Sequence, residues 1–140
     1  MNLSYEERVR QASEIERLQQ DIANEVTAEF FERHPDWKQR YGLPGWKHGV
    51  DDACFHMRFL AGSIVAGSPA HFLNYLRWTA HMLNARGMAP KFLIENVLQI
   101  ETSLKSRLSE SGATLVTQYV QEAIHGFQET LSKPTSDPGE

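Results

Sequence analysis

Prolines and glycines divide this sequence into segments in which apolar residues recur at helical spacing. The first such stripe consists of Ile15, Leu18, Ile22, Val26 and Phe30. Pro35 disfavours helix at the residue before it, so we expect this first helix to end near His34. The sequence contains no Asn-Gly or Asp-Gly turn between alternating apolar runs, which is the pattern typical of β-hairpins. The chain is therefore predicted to be all-α.

The segment HPDWKQRYGLPG (34–45) predicts a loop with at most a short helical turn. A second helix is then expected from near Trp46. Its predicted core positions are Val50, Ala53, Met57, Leu60, Ala61, Ile64 and Val65. Gly67 is expected to end this helix, with Ser68 as the N-cap of the next helix and Pro69 at its first position.

Three further helices are predicted. The third runs from Pro69 to about Arg86 and stops at Gly87, with Phe72, Leu76, Ala80 and Leu83 facing inward. The fourth opens at Pro90 and carries Leu93, Ile94, Val97, Leu98, Ile100 and Leu104. After a break at SESGA (109–113), the last helix is expected from Ala113 to Leu131. The polar tail 132–140 is predicted to be disordered.

Length and charge limit the function classes. The 140 residues suffice for one domain, which we place at residues 1–131, and its unequal helices favour a globin-like packing over a four-helix bundle. The net charge of −4 argues against nucleic-acid binding. No apolar run suits a membrane span, and the N-terminus has no apolar signal-peptide core. A single cysteine forms no internal disulfide, so we expect a cytoplasmic protein.

The stretch GWKHGVDDACFHMRFLAGSIVAG (45–67) carries the candidate site. His48, Asp52, His56, Phe59 and Ser63 recur at three- or four-residue steps and share one helical edge beside the apolar stripe. A polar seam beside an apolar face suits a buried, partly polar ligand. The same row is also typical of half-exposed boundary residues on a surface helix.

Other chemistries receive less support from the residues. Three side chains in line on one helix converge poorly on a metal ion, and there is no HExxH or CxxC motif, so no metal site is expected. Cys54 lies near the apolar stripe, which predicts a buried structural thiol. There is no Ser-His-Asp pairing, glycine-rich phosphate loop or clear carboxylate pair, so we expect a protein without enzymatic activity.

The predicted third helix adds aromatic residues and histidines. Tyr75 and Trp78 can share a side with His71 or His81. Aromatic residues at helical spacing usually belong to the core. Histidines on the edges of two successive helices nevertheless leave a heme site open, with His81 or His71 as its proximal ligand.

Several segments, taken in order, resemble the phycobiliprotein branch of the globin superfamily, the light-harvesting bilin carriers. They are ANEVTAEFFERHP, LPG, DACFHMRFLAGSIVAG, the stretch from SPAHFLNYLRW to IENVL, and SGATLVTQYVQEAI. The matching positions are Ala28, Phe31, Pro35, Asp52, Arg58, Ala66, Gly67, Tyr119, Ala123 and Ile124. The resemblance covers residues 20–127 and implies a globin-like domain preceded by an N-terminal helical extension.

Departures from the family pattern narrow the resemblance. Gly49 stands where light-harvesting members carry the cysteine that attaches the bilin, and Asp51 stands where the family has arginine. The N-terminal helical pair used for assembly is reduced to roughly the first twenty residues. The chain is therefore more similar to the bilin-biosynthesis-associated globins than to a phycobilisome subunit.

The resemblance implies non-covalent binding of a linear tetrapyrrole such as biliverdin. Asp52 matches the aspartate that accepts hydrogen bonds from pyrrole N–H groups. The other expected binding residues contact ring edges or a propionate, or form flat apolar walls. They are His48, His56, Arg58, Trp46, Phe59, Tyr75, Trp78 and His81. His81 is also a candidate proximal ligand in the alternative in which the pocket holds heme. Expected partners are heme oxygenase or a bilin reductase, and a second copy through the N-terminal helix. The alternative is a cofactor-free or heme-binding globin-like sensor or interaction domain in bacterial signalling.

Overall fold

The structure, a computed structural model, describes residues 3–132, and over this range it is all-helical. Its helices are α1 (Tyr5–Arg33), α2 (Pro35–Ala66), α3 (Pro69–Ala85), α4 (Pro90–Lys105) and α5 (Glu110–Ser132). The prediction of an all-α chain is therefore confirmed. Apart from its first residue, which ends α5, the tail predicted to be disordered lies outside the described residues.

Most helix ends fall where prolines and glycines place them. Helix α1 ends at Arg33, because Pro35 keeps His34 out of the helical conformation (φ −129°). Gly67 closes α2 in the left-handed conformation (φ +71°, ψ +25°), as a glycine C-cap does. Pro69 and Pro90 are the first residues of α3 and α4. These boundaries are confirmed.

The loop predicted over residues 34–45 is wrong. Pro35 starts α2 at once, since a proline fits the first helical position, and the chain stays helical except at Gly42 (φ +57°, ψ −146°). Such a backbone conformation is open mainly to glycine. Gly42 therefore divides α2 into a short arm, residues 35–41, and a long arm, residues 43–66.

The last helix also begins earlier than predicted. Helix α5 starts at Glu110 rather than Ala113, because the break in the chain lies at residues 106–109. The Ser109 hydroxyl accepts a hydrogen bond from the Gly112 backbone N–H at 3.3 Å, as an N-cap residue does. The SESGA segment is thus the start of a helix rather than a gap between helices.

The core lies between α1, α2 and the three later helices. Helix α1 packs along α2, while α5 packs against α3 and α4. The predicted core positions of the long arm are buried except Val65, which is half-buried. Ile15 in α1 is fully buried, so the predicted N-terminal extension is part of the core and not an appended element. Over the described residues, the helices lack a stretch of the length and apolarity that a bilayer crossing requires.

Candidate functional site

A cavity of about 210 Å³, which we call the central cavity, lies where the two arms of α2 meet α1, α3 and α4. Its aromatic wall consists of Phe30, Phe31, Trp37 and Tyr41. Its polar residues are Thr27, His48, Asp52, His56, Arg86 and Asn96. Apolar walls with a few polar groups are the usual composition of a small-molecule site.

The kink at Gly42 builds one side of this cavity. It places the short arm of α2 so that Trp37 and Tyr41 line the same cavity as residues of the long arm. The Trp37 ring packs edge-on against Phe30 at 5.5 Å and lies 5.3 Å from the Tyr41 ring. A Cβ atom added at Gly45 would clash with Tyr41, so the two arms approach at a distance that requires glycine.

Asp52 is the acidic group of the central cavity. Its side chain is half-buried, and burial raises the pKa of this carboxyl above its ordinary value. The charges of His48, one turn earlier, and Arg86, which follows α3, act in the opposite direction and lower it. The cavity therefore holds a partly desolvated acid beside two basic side chains.

His56 lies on the same edge of α2, one helical turn after Asp52. It is 3% exposed, and its Nδ1 atom lies 2.6 Å from the Tyr75 hydroxyl oxygen. Burial lowers the pKa of His56 to about 4, so the imidazole is neutral at physiological pH. A buried neutral histidine can accept one hydrogen bond and donate another.

A second concavity, which we call the surface groove, lies between α2 and α3 and has a volume of about 730 Å³. The Phe59 ring stacks on Tyr75 at 4.2 Å and 14°, yet Phe59 remains 50% exposed. Trp78 on the neighbouring helix is 62% exposed. The lining residues are Arg58, Phe59, Gly62, Ser63, Ala66, His71, Asn74, Tyr75 and Trp78.

The structure divides the residues predicted for one pocket between these two places. His48, Asp52 and His56 line the central cavity, whereas Arg58, Phe59, Tyr75 and Trp78 line the surface groove. The remaining two line neither, since Trp46 stacks on Phe31 at 6.3 Å and His81 is exposed. The groove between α2 and α3 therefore forms without His48, Asp52 and His56, which line the central cavity instead.

Arg58 and His71 also lie away from the central cavity. The Arg58 guanidinium donates to the Gln19 side chain at 3.1 Å and lies 5.6 Å from the centre of the Phe55 ring. His71 lines the surface groove. The histidines that line the central cavity, His48 and His56, thus both come from α2. The two helices expected to face a heme do not both supply histidines to this cavity.

Sequence reasoning missed the aromatic wall and Arg86. Trp37 and Tyr41 fell in the segment predicted as a loop, although their spacing of four residues behind Pro35 is a helical signal. Arg86 is the residue that follows α3, it precedes Gly87 (φ +87°), and it lines the cavity. Nothing in the spacing of Arg86 to its neighbours marks that role.

Cys54 is 8% exposed, and burial raises the pKa of its thiol, so the prediction of a buried thiol is confirmed.

Within residues 3–132, no three histidine, cysteine, aspartate or glutamate side chains come together as a metal-binding group. No protein-family model and no curated protein matches this chain. The chemistry of the two concavities is therefore the basis on which a function is proposed.

Proposed function

We propose that this chain is a globin-like protein that binds a linear tetrapyrrole non-covalently, as a carrier or accessory protein of bilin biosynthesis. The observation that carries the proposal is the Asp52 carboxyl in an aromatic cavity, with Arg86 beside it. A bilin offers flat apolar rings, inward-pointing N–H donors and propionates. A carboxylate accepts several N–H groups at once, and a guanidinium binds a propionate.

The size of the central cavity sets how such a ligand would bind. Its volume of about 210 Å³ is below the range of roughly 300–1,000 Å³ that buries most of a drug-sized ligand. The cavity therefore fits one end of a tetrapyrrole, while the remaining rings lie across its mouth. Tyr41, which lines the cavity and is 43% exposed, provides aromatic surface that these rings can contact.

A titration of the purified protein with biliverdin tests this proposal. We expect the absorption bands of biliverdin to shift and saturate, because the pigment leaves water for an aromatic site. Hemin, titrated under the same conditions, should bind more weakly, since the cavity is narrow and its histidines come from a single helix. Unchanged biliverdin spectra at saturating protein would reject the proposal.

A second candidate function, an interaction domain, rests on the aromatic face beside the surface groove. Phe55 is 47% exposed, Phe59 is 50% exposed and Trp78 is 62% exposed, and such clusters mark protein–protein contacts. Contact with heme oxygenase or a bilin reductase remains a prediction. The predicted homodimer through α1 also remains one, and the exposed side of that helix is polar, for example at Glu16 and Gln20.

A further inference from the structure

His56 presents an unused polar edge to the central cavity. Its Nδ1 atom is bound to Tyr75, which lines the surface groove on the other side of α2 and not the cavity. The imidazole lines the cavity, and Nε2 is the ring nitrogen that the contact with Tyr75 does not use. Among the described residues, the ring has Tyr75 as its hydrogen-bond partner. The cavity thus contains a side chain that is 3% exposed and has one nitrogen left for a ligand.

The bond to Tyr75 decides which nitrogen carries the proton. Burial raises the pKa of Tyr75 and lowers that of His56 to about 4, so both side chains are neutral at physiological pH. The phenol is the more acidic donor, and the unprotonated imidazole nitrogen is a better acceptor than a phenol oxygen. This order of acidity favours donation from the Tyr75 hydroxyl to Nδ1 of His56, which leaves the imidazole hydrogen on Nε2.

Asp52 provides the complementary group one helical turn earlier. Side chains four residues apart on a helix lie roughly 5–6 Å from each other at Cβ, so both reach one small ligand group. Nε2–H of His56 is a donor and the Asp52 carboxylate is an acceptor. The matching ligand group has a carbonyl next to an N–H.

We propose that the central cavity recognises a lactam, with Nε2–H of His56 donating to its carbonyl and Asp52 accepting its N–H. This inference rests on the proposed function and deepens it, because both end rings of a bilin are lactams. A cavity of about 210 Å³ has room for such a ring. Heme has no lactam, so the pair selects open-chain over cyclic tetrapyrroles.

The first test uses the ligand-free protein. Nitrogen NMR of the histidine rings should show His56 as the Nε2–H tautomer at neutral pH. Tyr75→Phe removes the donor to Nδ1 and should turn this signal into a mixture of tautomers. An Nδ1–H tautomer in the wild type would overturn the proposal, since His56 would then offer an acceptor to the ligand.

The second test uses a matched pair of small probes, 2-pyrrolidinone and N-methyl-2-pyrrolidinone. Both have the carbonyl, and only the first has the N–H. We expect 2-pyrrolidinone to shift the His56 ring and Asp52 side-chain signals at concentrations at which the methylated probe shifts them less. Equal shifts with both probes, or none at His56, would overturn the lactam proposal whether or not biliverdin binds.

The third test measures biliverdin affinity in two substitutions of His56. His56→Phe removes the donor and should weaken binding roughly two- to tenfold, as expected for one neutral hydrogen bond. His56→Gln keeps an N–H near the position of Nε2 and should recover most of the loss. Equal affinity in the wild type and both variants would contradict the role of His56. Failure of the wild type to bind biliverdin, with the probe shifts intact, would reject the proposed function alone.

Discussion

Gly49 of α2 lies against Thr27 of α1 so closely that a Cβ atom added at residue 49 would come 2.9 Å from the Thr27 Cγ2 atom. Real Cβ contacts are longer than this, so the two helices pack at a distance that requires glycine at this position. Gly49 is also the residue that the predicted resemblance places at the position of the bilin-attaching cysteine. The Cβ atom of a cysteine there would clash with the Thr27 side chain, which favours a pocket without a covalent link.

Two glycine-to-alanine substitutions in the long arm of α2 should have opposite effects. Gly49→Ala should lower the free energy of unfolding by about 1–3 kcal/mol, because the added methyl group overpacks the contact with Thr27. Gly62→Ala should raise it by about 0.5–1 kcal/mol, since its Cβ meets nothing within 4 Å and alanine favours helix. Urea unfolding followed by far-UV circular dichroism measures both. Equal effects would mean that the close approach of α1 and α2 is wrong.

Local signals explain why most of the fold was predictable. Pro35, Gly67 and Gly87 act on the backbone of their immediate neighbours, so the helix ends they set can be found in sequence. The short arm of α2 was missed because one glycine conformation, at Gly42, turned an expected loop into two helical pieces. Whether a Gly-Leu-Pro-Gly segment bends a helix or ends it depends on how the segment packs against other helices. The spacing of residues in the sequence does not specify that packing.

The site was less predictable, because the edge of α2 that carries the candidate residues extends beyond the central cavity. His48 and Ser63 share an edge, but fifteen residues of helix span about 22 Å. Tyr75 of α3 packs against this edge at His56 and Phe59, and it separates the part that faces the central cavity from the part that faces the groove. Contacts with a different helix therefore decide which residues on one edge act together.

Any bilin on this protein should be lost on denaturation in acid. Cys54 is buried and burial raises the pKa of its thiol, so the reactive thiolate is scarce. A denaturing gel stained with zinc should show no fluorescent pigment on the protein band, in the wild type and in Cys54→Ala alike. A fluorescent wild-type band that disappears in Cys54→Ala would show covalent attachment at Cys54.

Stability should fall in mild acid because His56 is buried as the neutral base. Its pKa is about 4 in the folded protein and about 6.5 when unfolded, so the unfolded chain binds the extra proton between these values. The stabilisation is complete above pH of about 6.5 and is lost progressively as the pH falls towards about 4, by up to about 1.36 kcal/mol per pH unit.

The matched variant for this pH dependence is His56→Gln, which cannot titrate. Urea unfolding at several pH values between about 6.5 and about 5 avoids most carboxyl titration. We expect a falling free energy of unfolding in the wild type and a flatter profile in the variant. The other charged groups at this cavity are Asp52, His48 and Arg86. A slope that is unchanged in His56→Gln would show that His56 does not cause it.

Asp52 should contribute to ligand affinity at the expense of stability. Burial raises its folded-state pKa, so its stabilising contribution is present below its unfolded pKa and is lost as the pH rises through the folded value. The ionised side chain therefore destabilises the ligand-free protein at neutral pH. Asp52→Asn should raise the free energy of unfolding there, whereas exposed Asp51→Asn should change it little.

The Asp52→Asn substitution, which should stabilise the ligand-free protein, should weaken its binding of biliverdin. Asp52→Asn keeps the size of the side chain but loses charge-assisted hydrogen bonds worth roughly 1.5–3 kcal/mol, so affinity should fall about ten- to a hundredfold. The pKa of the bound bilin should also fall, because the anion that favours its protonated form is gone. Asp51 lies about 100° round the helix and is exposed, so Asp51→Asn should bind nearly as the wild type does. Absorbance titrations against biliverdin and against pH measure both quantities. Equal affinities and equal spectra in all three proteins would show that Asp52 does not contact the pigment.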